Sequence, residues 1–266
     1  MATFPHYVFG YGSLICPSSR AVTAPTLKTR VATPVRVRHL ERVWSFPVPQ
    51  CAMTFMGIRK TRHATCVGVL VPVNDEELLQ FDDREYGYDR VPLPAEWIEK
   101  LPSSPPANTT GSGEDEASLA EGASYFDHVS QIPSSKNHNP QVWVYLQQDP
   151  SPVNVHCPLA QTYLDVIMRG CLTVSHDFLA EFLQTTRGWS AHDFYHDNDE
   201  EAPVSIIEKK HPATTYWVND RYDPLYVRAD MEYSHQMGEE LDRFLEQHRP
   251  LEIRHRRPLY GKNHTI

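Results

Sequence analysis

The chain has 266 residues, enough for one sizeable core with insertions, and carries 25 Lys+Arg against 34 Asp+Glu for a formal net charge of -9. That balance disfavours a polyanionic partner, so no nucleic-acid role is expected. No apolar run is long enough to span a bilayer, and the first residues lack a basic and an apolar signal region, so no membrane is expected and the cytosol is the expected compartment.

Residues 7–15 open the argument. A short aromatic and β-branched run predicts a strand, after which Gly10 and Gly12 bracket Tyr11 ahead of Ser13 and Leu14. Such a loop can turn main-chain N–H groups inward as an anion-binding nest, with the Ser13 hydroxyl as a further donor; an ordinary tight turn explains the same glycines. A dinucleotide fingerprint is excluded, because a glycine would be needed where Ile15 stands and no long amphipathic helix follows.

Further strands are predicted over 29–38, 41–46, 52–56 and 64–71, the last apolar enough to be central and ended by Pro72. Asn74 and the acids after it start a helix, with Leu78, Leu79 and Phe81 as its apolar face and Gly87 as its stop. Glu85 falls where that helix breaks before a strand reaching Leu93, a placement able to aim a carboxylate beside the sheet, although carboxylate runs at helix ends are commonly surface. Residues 102–139 read as a polar insertion with one short element at 125–129, and 142–146 resumes the sheet.

A helix is predicted over 158–170, with Pro158 in its first turn, Tyr163 on its apolar stripe and Gly170 as its C-cap; a second covers 175–183. His192 and His196 stand four apart beside Asp193, Asp197 and Asp199, but the H-E-x-x-H pattern is absent and a polar loop is the expectation; no metal is predicted. The tail contains Tyr216, Trp217, a helix around 238–248 and a basic end. Five scattered cysteines exclude a disulfide framework, with Cys171 read as a buried hydrophobe and Cys16 as a residue near the loop.

The run Tyr11, Gly12, Ser13, Leu14 beside an N-terminal strand resembles the Y-G-S-L signature of the gamma-glutamylcyclotransferase-like superfamily. Residues 81–85 resemble its Asp-x-x-Glu segment, and a tyrosine on the helix at 161–166 is also similar. The likeness covers about residues 7–95 and 140–190, and implies an α+β fold with a small, strongly bent mixed β-sheet or barrel, flanking helices and a substrate cavity. The domain would then span 1–190 with the insertion at about 102–139, and 191–266 would be a C-terminal extension packed on the core.

The resemblance further implies an enzyme of the gamma-glutamylcyclotransferase type, a lyase that cyclises a γ-glutamyl amide to 5-oxoproline and releases an amino acid or amine without cofactor or metal. Glu85 carries the proton-transfer role; Tyr11, Gly12, Ser13 and Leu14 bind the α-carboxylate; Tyr88 and Tyr163 line the pocket. Only a small-molecule γ-glutamyl substrate is implied as partner. The alternative is a non-catalytic module binding a carboxylate-bearing metabolite or peptide, and a scaffold using the 102–139 insertion is compatible with either. Trp189, Trp217, Arg221 and Tyr222 are candidates to cover the cavity mouth, and core or interface packing explains them at least as well.

Overall fold

A computed structural model describes residues 4–102, 140–195 and 216–259. The insertion with its element at 125–129, and His196, Asp197 and Asp199 of the histidine stretch, lie outside the described residues. In chain order the strands are β1 His6–Gly10, β2 Thr33–Val48, β3 Met53–Val73, β4 Tyr88–Pro92, β5 Ile98–Lys100, β6 Gln141–Gln147, β7 Leu159–Ala160, β8 Trp217–Asn219 and β9 Arg257–Pro258. The helices are α1 Pro17–Thr23, α2 Asp75–Arg84, α3 Gln161–Leu172, α4 His176–Thr185, α5 Ala191–Phe194, α6 Met231–His248 and α7 Pro250–Ile253.

Six strands form one mixed sheet in the order β4-β6-β1-β3-β2-β5, with β1 and β6 parallel and the other neighbours antiparallel. The mixed α+β class therefore stands, but the expected strongly bent sheet or barrel does not. The order ends on β4 and β5, which do not pair with each other, and the sheet is neither closed nor strongly curled. Closure requires the two terminal strands to share a ladder around a tilted cylinder. Here most of the pairing lies between β2 and β3, and the edges are strands of five and three residues.

The four strands predicted over 29–71 are two. At position 39 the backbone of β2 turns to φ 63 and its register against β3 shifts, and a second shift follows between Trp44 and Phe46. These irregularities interrupt the alternation that a sequence reading depends on without ending the ladder. Pro72 likewise does not end β3, which runs to Val73 beside β1.

Helix α2 starts on a reciprocal capping box. Asn74 Oδ1 accepts from Glu77 N–H at 2.8 Å and Glu77 Oε2 accepts from Asn74 N–H at 3.0 Å. Leu78 and Phe81 face the core, whereas Leu79 is 63% exposed, since a position next to Leu78 points off the apolar stripe. Helix α3 begins at Gln161 rather than Pro158, because Leu159 and Ala160 pair with β8 as a strand. Gly170 is not its C-cap: it lies inside the helix where the loop after β1 crosses, and a Cβ there would stand 2.5 Å from Cys16 N.

The C-terminal segment is fastened to α3 by buried charge. Arg221 forks onto Asp165, Nε to Oδ2 at 2.8 Å and Nη2 to Oδ1 at 2.9 Å, and also reaches Asp242, which binds Arg256. Asp220 adds a second buried clamp, accepting from Thr162 N–H, Thr162 Oγ1 and Leu225 N–H. Together they hold residues 220–225 against the start of α3. Asp165→Ala leaves Arg221 without its buried partner and is expected to lower stability by about 3 kcal/mol. A urea unfolding curve matching the wild type would show that another contact holds this segment.

Candidate active site

The stretch after β1 makes one turn of 3-10 helix, Ser13–Ile15, closed by Ile15 N–H onto Gly12 O at 2.9 Å and Cys16 N–H onto Ser13 O at 3.1 Å. The amides at the open start of that turn, those of Ser13 and Leu14, are not used within it. Close packing holds the loop in place. A Cβ on Gly10 would lie 2.8 Å from Leu14 Cβ, and one on Gly12 would lie 3.2 Å from the Tyr163 hydroxyl.

This loop forms one wall of a cavity of about 280 Å³, near the lower end of the ~300–1,000 Å³ usual for ligand pockets. Glu85, as the C-cap of α2, enters from a second side, and Gly87 at φ 91 turns the chain away from it into β4. Rings of Phe46, Phe55, Tyr88, Tyr163 and Tyr226 supply much of the remaining lining. The structure thus brings together Tyr11, Gly12, Ser13, Leu14, Glu85, Tyr88 and Tyr163, although they come from three separate parts of the sequence.

The loop and Glu85 are joined by Arg84. Its Nη1 donates to Ser19 O and Thr23 Oγ1, both at 2.7 Å, and its Nη2 to Ser13 Oγ and Ser19 Oγ, both at 3.0 Å. Its Nε pairs with Glu85 Oε1 at 3.1 Å. All five donors of the guanidinium are therefore engaged, and Arg84 has none left for a ligand. Because Arg84 donates to Ser13 Oγ, the Ser13 proton is free to point away from it, on the side where the Tyr163 hydroxyl lies.

The tyrosines divide by what their hydroxyls do. Tyr11 donates to Tyr145 O at 2.7 Å and Tyr88 to Met56 O at 2.8 Å, so both protons are committed to main-chain carbonyls. They offer the cavity rings and oxygen lone pairs. Tyr163 sits on α3 with its ring edge-on to Trp44 and Phe55 and tilted against Tyr226 at 4.7 Å, its hydroxyl beside Ser13 and the Met56 main chain. Burial raises all three phenols above their ordinary range, so they are neutral donors or acceptors, not bases.

Burial also raises Glu85 above the usual carboxylate range, opposed by the positive charges of Arg84 and Arg228 and by the Arg84 hydrogen bond. Its side chain keeps 18% exposure. A partly buried carboxyl with a raised pKa beside a turn whose first amides are unused within it is able to exchange a proton with a bound group.

Several functional groups were not found by sequence reasoning. Arg84 was adjacent to the chosen glutamate and had that adjacency as its signal; Tyr226 and Arg228 had none. The expected cover also differs. Trp189 and Trp217 are fully buried core, Arg221 is bound to Asp165, and Tyr222 is 90% exposed; residues 225–228 line the cavity instead. Cys16 is buried outside the cavity lining, and burial pushes the Cys171 thiol well up, as expected of an inert core residue. Among the described residues no group of three or more His, Cys, Asp or Glu could hold a metal, and no helix is long and apolar enough to cross a membrane.

No protein-family model matches the chain, nor does any curated protein. Among solved structures, a protein named gamma-glutamyl cyclotransferase is 11% identical with a TM-score of 0.43, covering 76% of this chain and 95% of its own. The uncharacterized human protein loc79017 is 12% identical with a TM-score of 0.42 and the same coverages, 76% and 95%. A yeast gamma-glutamyl cyclotransferase specific to glutathione is 14% identical with a TM-score of 0.32, covering 67% of this chain and 87% of its own. These are distant likenesses.

Two outcomes follow from the geometry. Arg84→Lys keeps the charge but not the fork, and is expected to lower stability by roughly 2 kcal/mol through lost charge-assisted bonds, read from the thermal unfolding midpoint. Glu85 behaves oppositely. A carboxyl whose folded pKa lies above its unfolded value holds more protons when folded; its contribution is present below the unfolded pKa and lost as pH rises through the raised one. Glu85→Gln should therefore unfold no lower than wild type at pH 7, with any gain vanishing towards pH 4, as differential scanning calorimetry across that range would show.

Proposed function

We propose that this protein is a gamma-glutamylcyclotransferase, cyclising a γ-glutamyl amide to 5-oxoproline with release of an amine or amino acid. The observation that carries this reading is the placement of a burial-raised carboxyl, Glu85, in the same small cavity as the Ser13–Leu14 turn and bridged to it by Arg84.

The chemistry asks for little else. In a γ-glutamyl amide the nucleophile and electrophile belong to one molecule, so the protein's task is to fold it. The Ser13 and Leu14 amides with the Ser13 hydroxyl grip the α-carboxylate, which brings the α-amine against the γ-carbonyl and turns binding energy into orientation. The amine nitrogen bonds to the γ-carbonyl carbon, Glu85 accepts the proton that nitrogen loses, and the carbonyl oxygen carries the developing negative charge. Collapse breaks the original C–N bond, and Glu85 returns the proton to the departing nitrogen. The aromatic lining excludes water, favouring closure to the lactam over hydrolysis.

Arg84 positions both halves of this apparatus and does not touch substrate. Its charge also opposes the rise in proton affinity that burial causes at Glu85, favouring the ionised form that acts as base. In this reading the described cavity belongs to one domain with the motif-bearing segments, and the C-terminal extension completes its wall.

The test is release of 5-oxoproline from γ-glutamyl dipeptides, γ-glutamyl amines and glutathione by wild type and Glu85→Gln. Wild type should turn over at least one class, and Glu85→Gln should lose about 100-fold or more in kcat, the range of a positioned general acid-base. The wild-type kcat/KM should fall on the acid side with a midpoint above the ordinary glutamate value of about 4.3, because the base must be ionised and its pKa is raised. Stoichiometric ligand binding by a folded wild type that turns over none of the panel would favour the carboxylate-binding module instead.

A further inference from the structure

We infer that Arg228 receives a carboxylate on the departing half of the substrate, so that the preferred leaving group is an amino acid or peptide and not a simple amine. This assignment rests on the cyclisation reading and adds the substrate class to it.

The argument is one of unmatched charge. Three charged side chains line the cavity: Arg84, Glu85 and Arg228. Arg84 and Glu85 form an ion pair, and every other Arg84 donor is occupied. Arg228 is different: among the described residues its guanidinium makes no hydrogen bond or ion pair, and it acts on Glu85 only through space. Five donors in a planar fork, half-buried and unpaired, are an open site for a planar oxyanion.

Its position indicates which oxyanion. Residues 226–228 run outward along the cavity wall, from Tyr226 at 2% exposure, its ring tilted against Tyr163, through Val227 at 85% to the partly exposed Arg228. The reacting half of the substrate is held inside by Ser13, Leu14 and Glu85, so the group beyond the scissile bond projects to the mouth. A γ-glutamyl amino acid carries two carboxylates: the α-carboxylate of its glutamyl half meets the loop, and that of its leaving half meets Arg228. A γ-glutamyl amine has no second carboxylate and would leave Arg228 half-buried and unpaired. The residue also comes from the C-terminal segment that Asp165 and Asp220 lock in place, so the selective group is mounted on a fixed wall.

The deciding experiment compares γ-glutamyl-alanine with γ-glutamyl-ethylamide, which differ by the leaving-side carboxylate, on wild type, Arg228→Gln and Arg228→Lys. Wild type should prefer the alanine compound by about tenfold or more in kcat/KM, mainly through KM. Arg228→Gln should lose that preference, its kcat/KM on the alanine compound falling about tenfold further than on the ethylamide, and Arg228→Lys should recover part of it. Losing a cation also raises the Glu85 pKa, but this moves both substrates alike and leaves their ratio at one pH informative. Preference unchanged in Arg228→Gln, or equal losses on both compounds, overturns the assignment alone.

Absence of turnover by wild type would overturn the reaction instead. Calorimetric binding of the same two compounds to Glu85→Gln, with and without Arg228→Gln, then decides separately. Tighter binding of the alanine compound that disappears with Arg228→Gln upholds the role of Arg228. Equal binding of the two, or binding of neither, overturns it.

Discussion

The Arg84 guanidinium is the constraint on which the site depends. Five donors in one plane connect the main chain and hydroxyl of Ser19, the Thr23 hydroxyl, the Ser13 hydroxyl and the Glu85 carboxylate. The loop after β1 and the end of α2 are some seventy residues apart, and each alone is a polar turn free to relax. Joined through a planar, permanently charged group, they hold a fixed relation. The same contact tempers the carboxylate, since burial drives its pKa up and the adjacent guanidinium holds it back. Geometry and proton affinity are thus set by one side chain that has no donor left for a substrate.

The sheet supplies the platform. β1 lies centrally between β3 and β6, so the loop at its end emerges from the most constrained part of the molecule. Helix α3 then passes close enough to that loop that only glycine fits at position 170, and it carries Tyr163 to the cavity. The open sheet leaves room for an independent fourth side. That side is the C-terminal segment, drawn onto α3 through Asp165, Arg221, Asp242 and Arg256, alternating charges that run from the buried Asp165–Arg221 pair to the partly exposed Asp242 and Arg256. The same segment brings Tyr226 and Arg228 to the cavity, one as a ring in its wall and the other as a charge with no ion pair among the described residues.

Sequence reading picked out residues that the structure brings to one cavity through short-range signals, and misread elements whose extent depends on long-range pairing. The capping box of α2 and the positive-φ glycine behind it are local, and they placed Glu85 at a helix break where the structure has it. The extent of β2 and β3 was not local. Their irregular registers broke the period that distinguishes one long strand from two short ones, and only the partner strand shows that the ladder continues. For the same reason Pro158 and Gly170 looked like the ends of a helix, while pairing with β8 and contact with Cys16 decide their states.

The sequence by itself determined the loop of Tyr11 to Leu14, the glutamate at the end of α2 and the tyrosine of α3. Each is written in residues a few positions apart, where backbone propensity, capping and glycine placement act. Tertiary structure alone decided that the sheet stays open, that Tyr11 and Tyr88 give their hydroxyl protons to carbonyls, and that residues 225–228 close the cavity in place of the tryptophans. Those outcomes depend on which strands, buried donors and charges find partners at separations of 32 residues for Tyr88 and Met56 and 134 for Tyr11 and Tyr145. Such pairing is settled by the packed whole, because an unpaired buried charge costs too much to be left to any single segment.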